Sequence, residues 1–162
     1  MHSSKDRKEL VAIKDTSYET TLTLASAHAL VLLDDGVVGD PMEKTTLDAL
    51  NWKLTSGDKI SPDEKSDSIH QAQVNVKRRF QFSSQLKRMS TISLVNSPKG
   101  EKRGFVAVKG APETLKKMYK SVPADYETTY KWYAQRGSRV LALGYKWVDA
   151  MAAKEVSRSA AR

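Results

Sequence analysis

Apolar residues follow a helical spacing in the first third of the chain and a shorter period afterwards. From about Ser17 to Leu33, the residues Leu22, Ala25, Ala29 and Leu33 recur every three or four positions, which places them on one face of a helix. Asp34-Asp35-Gly36 breaks that pattern. Asp40-Pro41-Met42-Glu43 reads as a second helix start. Asp is a good N-cap, Pro is tolerated at the first helical position, and Glu three residues after the cap can close a capping box. This helix is expected to run to about Trp52, with Leu47 and Leu50 turned inward. Residues 55–68 are dense in Ser, Asp and Lys and read as a loop, the best place for mobility and insertion.

Strand-like segments follow. Ile69 to Phe82 contains the alternating Val74 and Val76, and Met89 to Val95 alternates less strictly. Asn96-Ser97-Pro98-Lys99-Gly100 is a turn, and Gly104 to Lys109 returns as a strand, so the pair reads as an antiparallel hairpin. Ala111-Pro112-Glu113 opens a short helix, and Asp125 to about Gln135 forms another, closed by Gly137. Ser138 to Trp147 is the last strand, and the Ala-rich tail from Val148 reads as a partial helix or linker. Strands in hairpins with helices in clumps predict an α+β fold: a twisted, mainly antiparallel sheet flanked by helices. The expected layout is one domain over 17–147, between a linker or cloning-derived lead at 1–16 and a tail at 148–162.

Composition narrows the class of protein only modestly. A length of 162 residues suits one domain, and 40% hydrophobic with 28% charged residues does not suggest disorder. The absence of cysteine excludes disulfides and thiolate zinc sites. No apolar run approaches the ~18 residues of a membrane helix, and Met1-His2-Ser3-Ser4 lacks the apolar core of a secretory signal. The net charge of +8 points to an anionic partner or simply to good solubility, with nucleic acid, anionic membrane and nucleotide phosphate all open.

No motif supplies catalysis. The chain has no Walker phosphate loop, no G-x-G-x-x-G and no G-x-S-x-G elbow. His2, His28 and His70 lack metal-ligand spacing, and His28, inside an apolar stretch, reads as a structural histidine. The residues themselves therefore nominate no catalytic group and no metal site.

Four segments carry a resemblance: Gly39-Asp-Pro-Met-Glu43, Phe82-Ser-Ser-Gln-Leu-Lys-Arg-Met-Ser90, Lys109-Gly-Ala-Pro-Glu113 and Gly137-Ser-Arg-Val-Leu-Ala-Leu143. In this order and at these separations, residues 17–147 resemble the nucleotide-binding domain of P-type ATPases. Glu19-Thr-Thr-Leu22, Leu33-Asp-Asp-Gly36, Gly39-Asp-Pro-Met-Glu-Lys44, Leu86-Lys-Arg-Met-Ser90 and Arg139-Val-Leu-Ala-Leu-Gly-Tyr-Lys146 are similar to the endoplasmic-reticulum type V group, subfamily A. The resemblance implies ATP and ADP as ligands, with Mg²⁺ held mainly by a phosphorylation domain. It implies phosphorylation and actuator domains as partners, no nucleic acid, and a monomeric module. It also implies a parent at the cytosolic face of the endoplasmic reticulum membrane that extracts misplaced transmembrane helices. The family's phosphorylated aspartate lies in D-K-T-G-T, and no Asp here is followed by Lys-Thr-Gly, so no phosphoryl transfer is expected from this chain alone.

Residue by residue, the resemblance assigns Phe82 to stack on adenine, Lys109 to the depth of the adenine pocket, and Lys87 to the neighbourhood of the nucleotide. It assigns Glu43 to accept from the adenine amino group and Arg139 to reach the phosphates. Gly110 beside Lys109 removes a side chain and permits close approach. Each has a plainer alternative. Phe82 would be a core aromatic, and Phe80, two residues earlier, would share its face and compete for the base. Lys109 would be an exposed lysine at a strand end, Glu43 the closing member of the capping box, and Arg139 one half of a rim salt bridge, while Arg88 beside Lys87 reads as a solvated charge. Ser84, Gln85 and Leu86 depart from the charged residues of the calcium pumps. A rival function, a basic nucleic-acid-binding module, rests on the net charge, Lys77-Arg78-Arg79 and the interleaved Phe80 and Phe82. A third is a regulatory interaction domain without nucleotide binding.

Overall fold

A computed structural model of the chain describes residues 10–64 and 70–159. The early part of the linker, the end of the 55–68 loop, Ile69 and the last three residues of the tail lie outside the described residues. Among the described residues, eight strands and five α-helices follow in order: α1 Tyr18–Ser26, β1 Val31–Leu33, β2 Gly36–Val38, α2 Pro41–Ala49, β3 Trp52–Thr55, β4 Lys59–Pro62 and β5 Gln73–Ser83. They continue with β6 Arg88–Asn96, β7 Lys102–Gly110, α3 Pro112–Lys116, α4 Tyr126–Ala134, β8 Ala142–Val148 and α5 Ala150–Ser159. Strands β3 to β8 form one antiparallel sheet in sequence order, and β1–β2 is a separate ribbon. The α+β expectation is met, and the hairpin read from the sequence is β6–β7, with Met89 opposite Lys109.

The first helix is shorter than its periodicity predicts. Thr23 and Ser26 donate their hydroxyls back to the carbonyls of Glu19 and Leu22, and Ala27 leaves helical geometry at φ −83°, ψ 66°. Ala29 and Leu33 match the helical spacing by coincidence: Val31–Leu33 is β1, paired across the Asp34-Asp35 turn with β2. The loop expected over 55–68 contains β4. Its Ile60 is fully buried, and the tight turn before it places Gly57 and Asp58 at φ +74° and +53°. The last strand begins at Ala142 rather than Ser138, because β7 ends at Gly110 and Gly110–Ala142 is the final pair.

The two faces of the sheet are covered differently. Phe105, Ala107, Val74 and Val76 share a core with Leu22 and Ala25 of α1 and with Leu47 and Leu50 around α2. Residues offset by one face the other way. There Gly104 is buried against α5. A Cβ at Gly104 would lie 2.5 Å from Val148 Cγ2, 2.8 Å from the Asp149 carbonyl oxygen and 3.0 Å from Ala153 Cβ. Gly104→Ala is therefore expected to push α5 off the sheet and cost about 1–3 kcal/mol, the usual range for overpacking. Urea unfolding measures the loss, and amide exchange in 150–159 should rise with it. Parent-like stability and exchange would mean that α5 does not depend on this close approach.

Candidate functional site

The cleft lies where the exit of α1, the start of α2, the end of β7 and the start of β8 meet. Leu24, Ala27, His28, Met42, Glu43, Thr46, Lys109, Leu141 and Leu143 line a cavity of about 130 Å³. Its wall is mostly aliphatic, with four polar side chains, His28, Glu43, Thr46 and Lys109, on it. Such a lining suits a flat apolar ligand with a few polar edges.

Glu43 organises the cleft. Asp40 caps α2 by accepting the Met42 and Glu43 N–H groups. Glu43 does not close the capping box. Its Oε2 accepts the Ala29 N–H at 3.0 Å, and its Oε1 pairs with Lys109 Nζ at 2.6 Å. The two side chains retain only 10% and 16% of their exposure, so Lys109 is not a solvated lysine. Breaking a pair that is buried costs about 3–5 kcal/mol, because the remaining charge is left uncompensated. Each carboxylate oxygen accepts one hydrogen bond here and can accept another from a ligand.

The chain between α1 and β1 is held by side chains of α2 and β5 and by one of its own. The Arg79 Nε–H donates to the His28 carbonyl oxygen at 2.6 Å, Glu43 takes the Ala29 N–H, and His28 Nδ1 accepts the Leu30 N–H at 3.1 Å. Arg79 also lies 3.5 Å from Asp58. Burial first, then the Arg79 charge, pushes the His28 imidazole down from 6.5 to about 4; Glu43 opposes this shift and Lys109 adds to it.

Phe82 stands outside this lining and is 63% exposed, which excludes the core reading. Register shifts in β5 between Val76 and Arg78 and between Phe80 and Ser83 break simple alternation. Phe80 and Phe82 therefore do not share a face: Phe80 pairs opposite Ser90 and is covered by the Arg78 guanidinium at 4.7 Å. The bulge with Gln81 and Phe82 lies opposite Met89, which continues in a row through Lys109 to Leu143. Phe82 thus sits at the end of the row of residues that carries Lys109.

Lys87 and Gly110 act together. Lys87 occupies the left-handed region at φ +51°, held by its N–H to the Ser83 carbonyl at 2.6 Å and by the Ala111 N–H to its own carbonyl oxygen at 3.0 Å. A Cβ on Gly110 would collide with that carbonyl and with Arg88. The close approach that Gly110 allows is thus to the β5–β6 turn. The side chain of Lys87 is exposed. Arg139 is exposed on the loop before β8 and makes no ion pair with a described residue. Neither Lys87 nor Arg139 lines the cavity. Sequence reasoning does not single out several members of this site. His28 was read as structural, and Leu141 and Leu143 were quoted only as motif letters.

No family model matches the chain. It is 46% identical over 148 residues to the endoplasmic reticulum transmembrane helix translocase of Schizosaccharomyces pombe, a match covering 88% of this chain and 12% of that protein. The protein of the same name from Saccharomyces cerevisiae is 38% identical over 157 residues, covering 94% of this chain and 12% of its own length. The probable manganese-transporting ATPase PDR2 of Arabidopsis thaliana is 40% identical over 132 residues, covering 82% and 10%. The chain thus spans about a tenth of the length of these curated relatives. With its antiparallel sheet and its motifs in order, it belongs to the P-type ATPases, as the segment called the nucleotide-binding domain. Within them it groups with type V, alongside the endoplasmic reticulum transmembrane helix translocases.

The buried imidazole gives the fold an acid sensitivity. His28 is 2% exposed and stays neutral in the fold down to about pH 4, whereas in the unfolded chain it takes up a proton near 6.5. Its contribution to stability is therefore intact above about 6.5 and is lost as pH falls toward 4. The expected loss at pH 5 relative to pH 8 is about 2 kcal/mol. Urea unfolding of the parent and of His28→Asn at both pH values isolates this contribution. An equal acid loss in the two proteins would show that His28 does not carry it.

Proposed function

We propose that the chain binds ATP, with adenine in the Glu43–Lys109 cleft and the phosphates at its mouth, and presents it to the phosphorylation domain of a longer P-type ATPase. The observation that carries this reading is the buried, hydrogen-bonded Glu43–Lys109 pair at the base of an apolar cleft, with exposed Phe82 at the end of the same sheet row. The residues fit a purine nucleotide. Aliphatic walls take the ring faces, Glu43 takes an amino group, and Phe82 offers a stacking face of the kind worth about 1–3 kcal/mol per base. Lys87 and Arg139, exposed on neighbouring turns, supply cations for the phosphate chain. In this reading Mg²⁺ is held mainly by the phosphorylation domain.

The relatives' names support a parent in the endoplasmic reticulum membrane that moves transmembrane helices; on the same proposal this domain faces the cytosol. No described helix is long and apolar enough to cross a membrane. The rival nucleic-acid reading loses its main residues to the fold. Arg79 is held by His28 and Asp58, and Arg78 lies over Phe80.

One exposed aromatic and two exposed cations set a weak affinity, with a Kd of about 0.1–5 mM. Titrations followed by proton–nitrogen NMR should show ATP shifting residues around 28, 43, 82 and 109. Phe82→Ala should weaken ATP by about tenfold. Arg139→Ala should weaken ATP and ADP while leaving adenosine nearly unchanged. Equal loss for all three ligands would reject the phosphate role of Arg139, and unchanged ATP binding by Phe82→Ala would remove Phe82 from the site.

A further inference from the structure

His28 has two ring nitrogens, and the fold uses one. Nδ1 accepts the Leu30 N–H, so in the neutral ring the proton sits on Nε2. Nε2 is buried and has no hydrogen-bond partner. The side chain is 2% exposed and lines the cleft together with Glu43 and Lys109. Burial and the Arg79 charge keep the ring neutral at physiological pH, so Nε2 is a donor there.

An unmet buried donor in a folded protein calls for an explanation. The Ala25 backbone carbonyl lies close enough to the ring to favour its protonated form, but no hydrogen bond reaches Nε2. Glu43 is the acceptor in the cleft wall, and its two oxygens go to Lys109 and to the Ala29 N–H. The cleft wall therefore carries an unmet donor, from His28, beside a carboxylate acceptor with spare lone pairs, from Glu43. Adenine has the complementary edge, with a 6-amino donor flanked by ring nitrogens that accept.

We infer that His28 reads the base, its Nε2–H donating to a ring nitrogen of bound adenine while Glu43 accepts from the neighbouring 6-amino group. This rests on the ATP reading of the cleft. Guanine in the same seat turns a carbonyl oxygen toward the Glu43 carboxylate, so the pair selects adenine. Nε2 has no exposed surface in the cleft as it stands, so the lining must shift to admit the base. Met42 and Leu141, 41% and 37% exposed, are the lining residues with room to move. The unbranched thioether of Met42 adapts readily.

Two isosteres separate this role from a purely structural one. In His28→Asn the amide oxygen stands where Nδ1 accepts from Leu30, and the donor toward the cleft is lost. In His28→Gln the amide nitrogen reaches the position of Nε2. Affinities for ATP, GTP, adenosine and tripolyphosphate are measured by NMR titration at pH 7.5 on the parent and both variants, alongside thermal melting. The parent is expected to prefer ATP over GTP. His28→Asn should melt near the parent yet bind ATP and adenosine about fivefold more weakly, with tripolyphosphate unchanged. His28→Gln should recover most of the lost affinity. Parent-like ATP binding by His28→Asn, or equal weakening of tripolyphosphate, overturns the assignment and leaves the ATP reading standing. Equal binding of ATP and GTP by the parent overturns the selectivity. If the parent shows no saturable binding of ATP or adenosine, the ATP reading fails, and this inference fails with it.

Discussion

One carboxylate joins the parts of this domain that have to meet. Glu43 sits in the first turn of α2, receives the Ala29 N–H from the exit of α1, and pairs with Lys109 near the end of β7. Those three segments are distant in sequence and share no strand pairing. Both charges are largely out of water, so the pair is stable only if each stays hydrogen-bonded. That requirement fixes where α1 must stop. A helix continuing past Ser26 would keep the Ala29 N–H for itself, leave Glu43 Oε2 without its donor and remove the His28 carbonyl from Arg79. The early end of α1 and the cleft beside it therefore have the same cause.

The far end of the sheet is set by backbone contacts. The left-handed turn at Lys87 places its carbonyl against Ala111, and the missing side chain of Gly110 admits it. That contact fixes the β5–β6 turn against the end of β7. The bulge just before the turn then sends Phe80 to one face, under Arg78, and leaves Phe82 beside the row of Met89, Lys109 and Leu143. Without the extra residue in β5 the two phenylalanines would share a face, and the geometry could not distinguish them.

Much of the sheet was legible in the sequence because hairpins are local. The Asn96–Gly100 turn and the flanking alternation predict β6 and β7, and Gly137 at φ +82° closes α4 where its position says it should. The errors fall where a tertiary contact overrides local pattern. The spacing of Leu22, Ala25, Ala29 and Leu33 carries no trace of the hydrogen bonds that end α1. Ile60, alone in a polar stretch, gives no strand signal, yet pairing with Val74 buries it. At the site, Glu43 and Lys109 could be named from motif residues. Their partnership could not, since 66 residues separate them. His28 gave the opposite problem. An apolar neighbourhood correctly predicts burial, but which ring nitrogen the fold uses depends on the Leu30 N–H and can be read only from coordinates.

The division of labour in the cleft bears on how such a domain works within a longer chain. The Glu43–Lys109 end of the cleft is enclosed and organised by buried polar groups, whereas Lys87 and Arg139 stand in water. Charges at an exposed rim attract phosphate weakly and are screened by salt. On the proposed reading, the domain grips the base and leaves the triphosphate incompletely held. A nucleotide held at one end can be handed to a second domain without first being released. A domain that enclosed the phosphates with equal care would bind ATP more tightly and deliver it less readily. The relatives' names agree with such a general role. At similar identity over this segment, one is called a transmembrane helix translocase and another a probable manganese-transporting ATPase. On the proposed reading, a module that reads adenine serves either.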